Sequence, residues 1–333
     1  MTRSPRAVPS GTAPRPRAAG ALVARGLRPL VRGALLLAAA SVVVFAATAL
    51  LPGDAAQLRV SPGATDEQVQ ALRQELGQDA APWRLYTDWT AGLLRGDLGT
   101  SLVNDRPVLD AVLQRLPATA TLIGLSLALA APAMLLLGGW AGAARESRGA
   151  AGAFLTGGAA VPAVVVAAGA AALLSGVLDL VPAVSLLPPG THPVHHPELL
   201  VLPVLSMALP TALFGAGLVS GAVADTVSRP HVADARRRGR PLWAVAAVDV
   251  LPFLLAPFTR VLAVSAGGLI AATTIVETLF GYPGLGSLLV SAVASRDTPV
   301  VQAVAMLAAA VVLAGLAVSD AVADGTDPRS RAW

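Results

Sequence analysis

The sequence predicts an all-α integral membrane protein with six spanning helices, and three observations predict it. Of 333 residues, 55% are hydrophobic and 13% charged, and the mean hydropathy is +0.67, so several segments need a solvent other than water. The apolar residues run continuously, without the alternation of a membrane β-barrel. Ala, Val, Leu and Gly dominate, which suits helices that approach closely in lipid. The basic residues are 24 arginines and no lysine, set in short blocks beside the apolar runs, as positive-inside topology requires.

Residues 1–32 hold Arg3, Arg6, Arg15, Arg17, Arg25, Arg28 and Arg32 with no acidic residue, and read as a disordered cytoplasmic tail that orients the first span. The run from Gly33 to about Leu51 is long enough to cross, at roughly 20 residues per bilayer, and exceeds the apolar core of a signal peptide. From Pro52 to Pro117 there are nine acidic residues against six arginines, so the loop 53–117 is expected to face outward. Within it, Thr65-Asp66-Glu67-Gln68 reads as a capping box, followed by Val69, Leu72 and Leu76 at helical spacing. Trp83, Tyr86 and Trp89 form a stripe suited either to the membrane interface or to a small packed hairpin of helices.

Further apolar runs lie at about 118–141, 151–178, 199–224, 253–276 and 299–323. Arg145, Glu146 and Arg148 mark an inner connection. The segment 179–198, with Asp179, three histidines, Glu198 and no arginine, marks an outer one. Loop 225–250 is strongly basic and therefore inside. Glu277, Arg296 and Asp297 belong to an outer connection, and the tail 324–333 returns inside. The six-span unit is thus 33–323, with both termini cytoplasmic. Arg260 is the one charge well within a run, close enough to its inner end to snorkel or pair.

Absences exclude several function classes. Without cysteine there is no disulfide, thiolate nucleophile or Cys-ligated metal, and without lysine there is no ordinary Walker A site, so any ATP hydrolysis belongs to a partner chain. No H-E-x-x-H motif and no spaced Ser, His and acid set suggest hydrolysis, so neither a catalytic residue nor a cofactor is expected. The isoelectric point near 10.8 accompanies a net charge of only +4, which topology explains better than nucleic-acid binding.

The most distinctive stretch is a polar island inside loop 225–250. Five arginines, Arg229, Arg236, Arg237, Arg238 and Arg240, fall within a dozen residues. His231, Val232, Ala233, Asp234, Ala235, Arg236, Arg237 and Arg238 can form a short amphipathic helix whose apolar face is Val232 and Ala235, with Ala233 beside them. Gly239 permits a tight turn, and Pro241 and Pro252 are placed to break helix on either side of a re-entry into the bilayer. The plain alternative is a loop made basic by topology alone.

Gly239, followed thirteen residues later by Pro252 with Leu251 before it and Pro257 five further on, resembles the EAA loop of permease subunits of bacterial ABC importers. From about residue 33 to the end the chain is similar to the dipeptide, oligopeptide and nickel importer permeases. The matching stretches are Leu51-Pro-Gly-Asp54, Leu94-Arg-Gly-Asp-Leu-Gly-Thr-Ser101, Arg115-Leu-Pro-Ala-Thr119, Leu209-Pro210, Val276-Glu-Thr-Leu-Phe-Gly-Tyr-Pro-Gly-Leu-Gly286, Arg296-Asp-x-Pro-Val-Val-Gln302 and Asp327-Pro-Arg329. The chain departs from the pattern at Ala233, where the loop's naming acid stands, at Arg229-Pro230-His231, in place of an acidic pair and Tyr, and at Gly215-Ala216-Gly217, where relatives often carry Arg.

The resemblance implies a six-helix ABC importer permease of the bacterial inner membrane that forms half of a pore for peptides or a similar small solute. Its implied partners are two ABC ATPase subunits, a second homologous permease, an extracytoplasmic solute-binding protein and the lipid bilayer, with no nucleic acid. Residues 231–240 would be the coupling helix, and Leu251, Pro252 and Pro257 the joint that tilts the spans. Glu277, Gly281, Pro283, Gly284 and Gly286 would shape the outer gate or contact the binding protein; the structural alternative is a simple turn. His192, His195 and His196 are weak metal candidates, since nickel importers belong to the resembled family. A nickel or other small-solute permease, or a membrane scaffold without transport, are the competing functions.

Overall fold

The computed structural model describes residues 18–50, 65, 67–68, 70, 81–144, 148–188 and 191–326. Residues 1–17, the Leu51–Asp54 stretch, Asp66, Val69, Leu72, Leu76, Arg145, Glu146 and the Asp327–Arg329 stretch lie outside the described residues. Among those described the chain is helical, with one isolated antiparallel bridge between Thr100 and Pro107. Helix α1 is Ala18–Ala49, α2 is Pro82–Arg95, α3 is Val108–Ala143, α4 is Arg148–Ala159, and α5 is Ala163–Ala171, continued by a π-helical turn to Val177. Then come α6, Pro197–Val227, the short α7, Pro230–Arg237, the long α8, Leu242–Phe280, α9, Leu285–Ala294, and α10, Thr298–Thr326.

Five of these helices contain stretches long and apolar enough to cross a membrane: Val31–Ala49, Val108–Ala143, Pro197–Val227, Leu242–Phe280 and Thr298–Ala321. The run expected at 151–178 as a single span is instead a bent pair of helices, which brings the number of spans to six only if the pair counts as one. Residues 149–159 and 163–177 meet at an angle of 84°, because Pro162 has no N–H to extend the ladder of α4 and instead starts α5. Two other boundaries move. Helix α3 begins ten residues before its apolar run, since Asp110, Gln114 and Arg115 are helical residues standing beyond the hydrophobic stretch. Helix α8 begins at Leu242 and passes through Pro252, which was expected to break it. A π-helical turn at Val245–Val250 widens the helix just before that proline and relieves its clash with the preceding turn.

The bundle is built around α6, which packs along α3 and against α8. Gly138 and Gly142 on α3 make the first seam possible. A Cβ on Gly138 would lie 2.8 Å from Val219 Cβ, and one on Gly142 would lie 2.5 Å from the Ser220 carbonyl oxygen, so both positions exclude a side chain. At one end, Ala130, Met134, Val219 and Val223 enclose Val232 and Ala235 of α7 and Val250 and Leu254 of α8. At the other end, Leu122, Met207, Leu269, Val276, Phe280 and Tyr282 form a second buried cluster. A third joins the start of α3 to α9 and α10 through Val108, Val112, Leu285 and Val304.

Helix α1 lies along α10, where the Gln302 amide donates to Thr48 Oγ1 at 2.8 Å. Tyr86 and Trp89 of α2 pack on Phe45 of α1 at centroid distances of 5.3 and 5.9 Å, and Tyr86 shares a 3.0 Å hydrogen bond with Ser41. Two of the three predicted aromatics therefore make a helix contact, while Trp83 projects outward, 63% exposed. Half of the expected capping box is visible: the Thr65 amide donates to Gln68 Oε1 at 3.2 Å.

Candidate functional site

The polar island folds as α7, eight residues long, with Val232 and Ala235 buried and His231, Asp234, Arg236 and Arg237 exposed. The pattern of its apolar positions dictates this: three residues apart, they share one face of a helix. Gly239 ends the arm at φ +75°, the left-handed conformation that glycine adopts without a Cβ penalty, while its amide bonds to the Arg236 carbonyl at 3.0 Å. The chain then reverses through Pro241 into α8.

Asp249 fastens this arm to α8. Arg240 Nη1 donates to both carboxylate oxygens of Asp249, at 3.1 and 3.0 Å, and His231 Nε2 donates to its backbone carbonyl at 3.2 Å. The Phe253 ring sits 4.9 Å from the His231 ring, and the Arg229 guanidinium lies 5.3 Å from the Phe253 centroid. Between arm and helix is a cavity of about 240 Å³ lined by His231, Asp234, Ala235, Arg238, Arg240 and Asp249. Leu251 and Pro252 follow at the exposed side of α8, and Pro257 is half-buried. Sequence reasoning brought His231 to Arg238 together but missed Asp249 and Phe253. A lone acid in an otherwise apolar stretch was the available signal.

At the opposite end, α8 closes with Gly281 at φ +67°, and the Tyr282 amide bonds back to the Glu277 carbonyl at 2.8 Å. Glu277 was expected in an outer connection. It lies instead in the last turn of α8, fully buried, because its carboxylate has partners there. Thr119 Oγ1 donates to Glu277 Oε1 at 2.7 Å, and the Ser287 amide donates to Oε2 at 3.0 Å. Thr119 also accepts from the Leu285 amide at 2.7 Å, Tyr282 donates to the Ala118 carbonyl at 3.0 Å, and Arg115 reaches Ser287 Oγ at 3.4 Å. A Cβ on Gly284 would overlap the Glu277 carboxylate, and one on Gly286 would stand 2.6 Å from Thr274 Cα. Gly284, in the turn, and Gly286, in the first turn of α9, are thus buried, whereas Gly281 is exposed and Pro283 partly so.

The remaining motifs also meet in pairs. Ser101, from the stretch beginning at Leu94, donates to Asp297, whose other oxygen accepts from the Leu102 amide at 3.0 Å. The histidines do not converge. The rings of His192 and His195 are 6.2 Å apart, His196 Nδ1 lies 3.2 Å from Glu198 Oε1, and no group of three His, Asp or Glu side chains forms a metal site among the described residues. Arg260 is exposed on the same face of α8 as Val264 and Ile275.

Residues 134–332 match the family described as binding-protein-dependent transport system inner membrane component, and residues 25–123 match its N-terminal companion family. Among curated proteins, the chain is 29% identical over 293 residues to the "Putative peptide transport system permease protein" of Brucella abortus (strain 2308), covering 87% of this chain and 93% of the relative. It is 28% identical over 321 residues to the "Probable D,D-dipeptide transport system permease protein DdpB" of Escherichia coli (strain K12), covering 89% and 94%. It is also 28% identical over 271 residues to the "Glutathione transport system permease protein GsiC" of Escherichia coli O6:H1, covering 80% and 85%. With its helical bundle and a family match over more than half its length, the chain belongs to the binding-protein-dependent transport system inner membrane components and is a multi-pass permease subunit of an ABC importer.

Proposed function

We propose that this chain forms one half of a translocation pore for peptides or a similar small solute. A second permease completes the pore, and two partner ATPase subunits drive it from the cytoplasmic side. An extracytoplasmic solute-binding protein delivers the solute and sets most of the specificity. The arginine bias of the loops supports a cytoplasmic location for both termini and for α7.

One observation carries the mechanical part of the reading: α7 is a compact arm fixed to the base of α8 by Asp249, Phe253 and the Val232 and Ala235 contacts. ATPase closure displaces α7, and the widened turn at Val245–Val250 together with Leu251, Pro252 and Pro257 turns that displacement into a tilt of α8. At the outer end the exposed Gly281 and Pro283 shape the gate or meet the binding protein, while Glu277, Gly284 and Gly286 hold the turn behind them. The subunit breaks no bond in the solute.

Co-purification from native membranes tests this. A tagged chain brings down two ATPase subunits and a sister permease, and Gly239→Pro abolishes ATP-driven uptake in proteoliposomes. A chain that emerges alone, or a proline variant that transports normally, removes the proposal.

A further inference from the structure

We infer that the arm docks on its ATPase partner through a two-part surface: the basic cluster Arg236, Arg237 and Arg238 against an acidic cleft, and the exposed pair Leu242 and Trp243 in an apolar recess beside it. The inference rests on the proposed function and adds the chemistry of the partner's surface.

Charge sets the first part. Between residues 229 and 240 there are five arginines and one acid, Asp234. Asp234 makes only a long 3.8 Å pair with Arg237, both side chains being exposed, and Asp249 is taken by Arg240. Arg236 and Arg238 have no acidic partner among the described residues. Val232 and Ala235 fix the hidden face of α7: Arg237 stands opposite it, and Arg236 and Arg238 flank it, both exposed, with Arg238 lining the cavity beside α8. A partner that covers them without its own carboxylates would strand several cations.

Exposure sets the second part. Leu242 and Trp243 are each 74% exposed at the first turn of α8, immediately after the arginine turn. Trp and Arg are the residues most often found to dominate interface energetics when both are buried by a partner.

Helix length decides between a protein and a lipid surface as the occupant. From Val261 to Phe280 the only charged residue of α8 is the buried Glu277, and those 20 residues span about 30 Å, one hydrocarbon layer. Arg260 marks the inner edge of that stretch. Trp243 lies 17 residues further, about 25 Å along an upright helix; at a tilt of roughly 40° the layer takes in about 26 residues, back to Leu255, and Trp243 still stands about 14 Å beyond it. The headgroup layer is only about 5–8 Å deep, so the surface stands clear of it and a soluble protein is what reaches it.

The test uses the whole complex purified with the ATPase subunits that accompany the wild-type chain. Retention of the ATPase by wild type falls about tenfold between roughly 50 and 300 mM NaCl. The triple change Arg236→Gln, Arg237→Gln, Arg238→Gln weakens it about a hundredfold at the lower salt and flattens the salt dependence. Trp243→Ala weakens it about tenfold or more at either salt. Since the chain has no cysteine, Leu242→Cys alone reports the site: an impermeant maleimide labels it in inside-out vesicles, and added ATPase protects it. All substituted side chains are exposed, so loss of folding is not a competing explanation. Normal ATPase retention by both the triple variant and Trp243→Ala overturns the inference and leaves the proposed function standing, whereas a wild-type chain without ATPase overturns that function first. Blocking of the cysteine by lipid alone overturns the inference in favour of a membrane-facing surface.

Discussion

Ser101 and Asp297, 196 positions apart, are hydrogen-bonded to each other in a buried site where the turn after α2 meets the connection between α9 and α10. The same carboxylate also holds the Leu102 amide. A buried carboxylate is stable only when its acceptor positions are filled, so these bonds are what permit Asp297 to sit there. They tie the segment near residue 100 to the start of α10.

Asp297→Ala is therefore expected to cost about 2–3 kcal/mol, because it strands the Ser101 hydroxyl and the Leu102 amide. Ser101→Ala removes one donor and costs about 1 kcal/mol. Thermal unfolding of the detergent-solubilised protein checks the order; equal effects contradict the two-bond arrangement.

Gly284→Ala is expected to be strongly destabilising, since its Cβ overlaps the Glu277 carboxylate. Glu277→Ala costs about 2–3 kcal/mol for a different reason, leaving Thr119 and the Ser287 amide without an acceptor. Combining the two relieves the overlap, so the double variant is more stable than the sum of the single effects, by about 1 kcal/mol or more in a double-mutant cycle. Additive losses would place the carboxylate elsewhere.

The six apolar runs were legible because a bilayer demands long uninterrupted stretches, and α7 was legible because Val232 and Ala235 stand three apart in a charged segment. The break at Pro162 was hidden by uniform Ala, Val and Gly on both sides, which kept the hydropathy high across the bend. Pro252 misled in the opposite sense, since a π-helical turn cannot be read from residue types. Glu277 and Asp249 were misplaced or missed because an acid's location depends on donors that only the fold brings to it: Thr119, 158 positions away, for the first, and Arg240, nine positions back across the turn into α8, for the second. The seven family-like stretches were recognisable together, by their order along the chain, and each was weak alone. That Ser101 pairs with Asp297, and Thr119 with Glu277, required the fold.

Gly142→Leu is expected to separate α3 from α6. A Cβ alone at that position comes within 2.5 Å of the Ser220 carbonyl oxygen and 2.7 Å of Val223 Cβ, and the larger side chain has no room beyond them. Backbone carbonyls of a packed helix cannot move aside, so the change costs about 3 kcal/mol or more. Gly139→Leu, one residue from Gly138 with open space around it, is the matched control and leaves the melting temperature nearly unchanged.

His192→Ala, His195→Ala and His196→Ala together are expected to change solute uptake less than about twofold, with or without added nickel or zinc. The three rings do not converge, and His196 is already engaged with Glu198. A metal-dependent rise in thermal stability that vanishes in the triple variant would show that the loop gathers an ion after all.

Asp249→Asn is expected to loosen the arm without detaching it. The Asn side chain keeps one acceptor for Arg240 but loses the charge, while His231 still bonds to the unaltered backbone carbonyl. Because the pair is partly exposed, the stability change is about 1 kcal/mol or less. On the proposed mechanism transport suffers more than stability does, since a weaker clamp would let α7 move without carrying α8. In reconstituted vesicles the solute moved per ATP hydrolysed falls while ATP hydrolysis continues, and exchanging the charges with Arg240→Asp and Asp249→Arg restores part of the ratio. Equal loss of hydrolysis and uptake would mean that Asp249 supports assembly with the ATPase and does not transmit its movement.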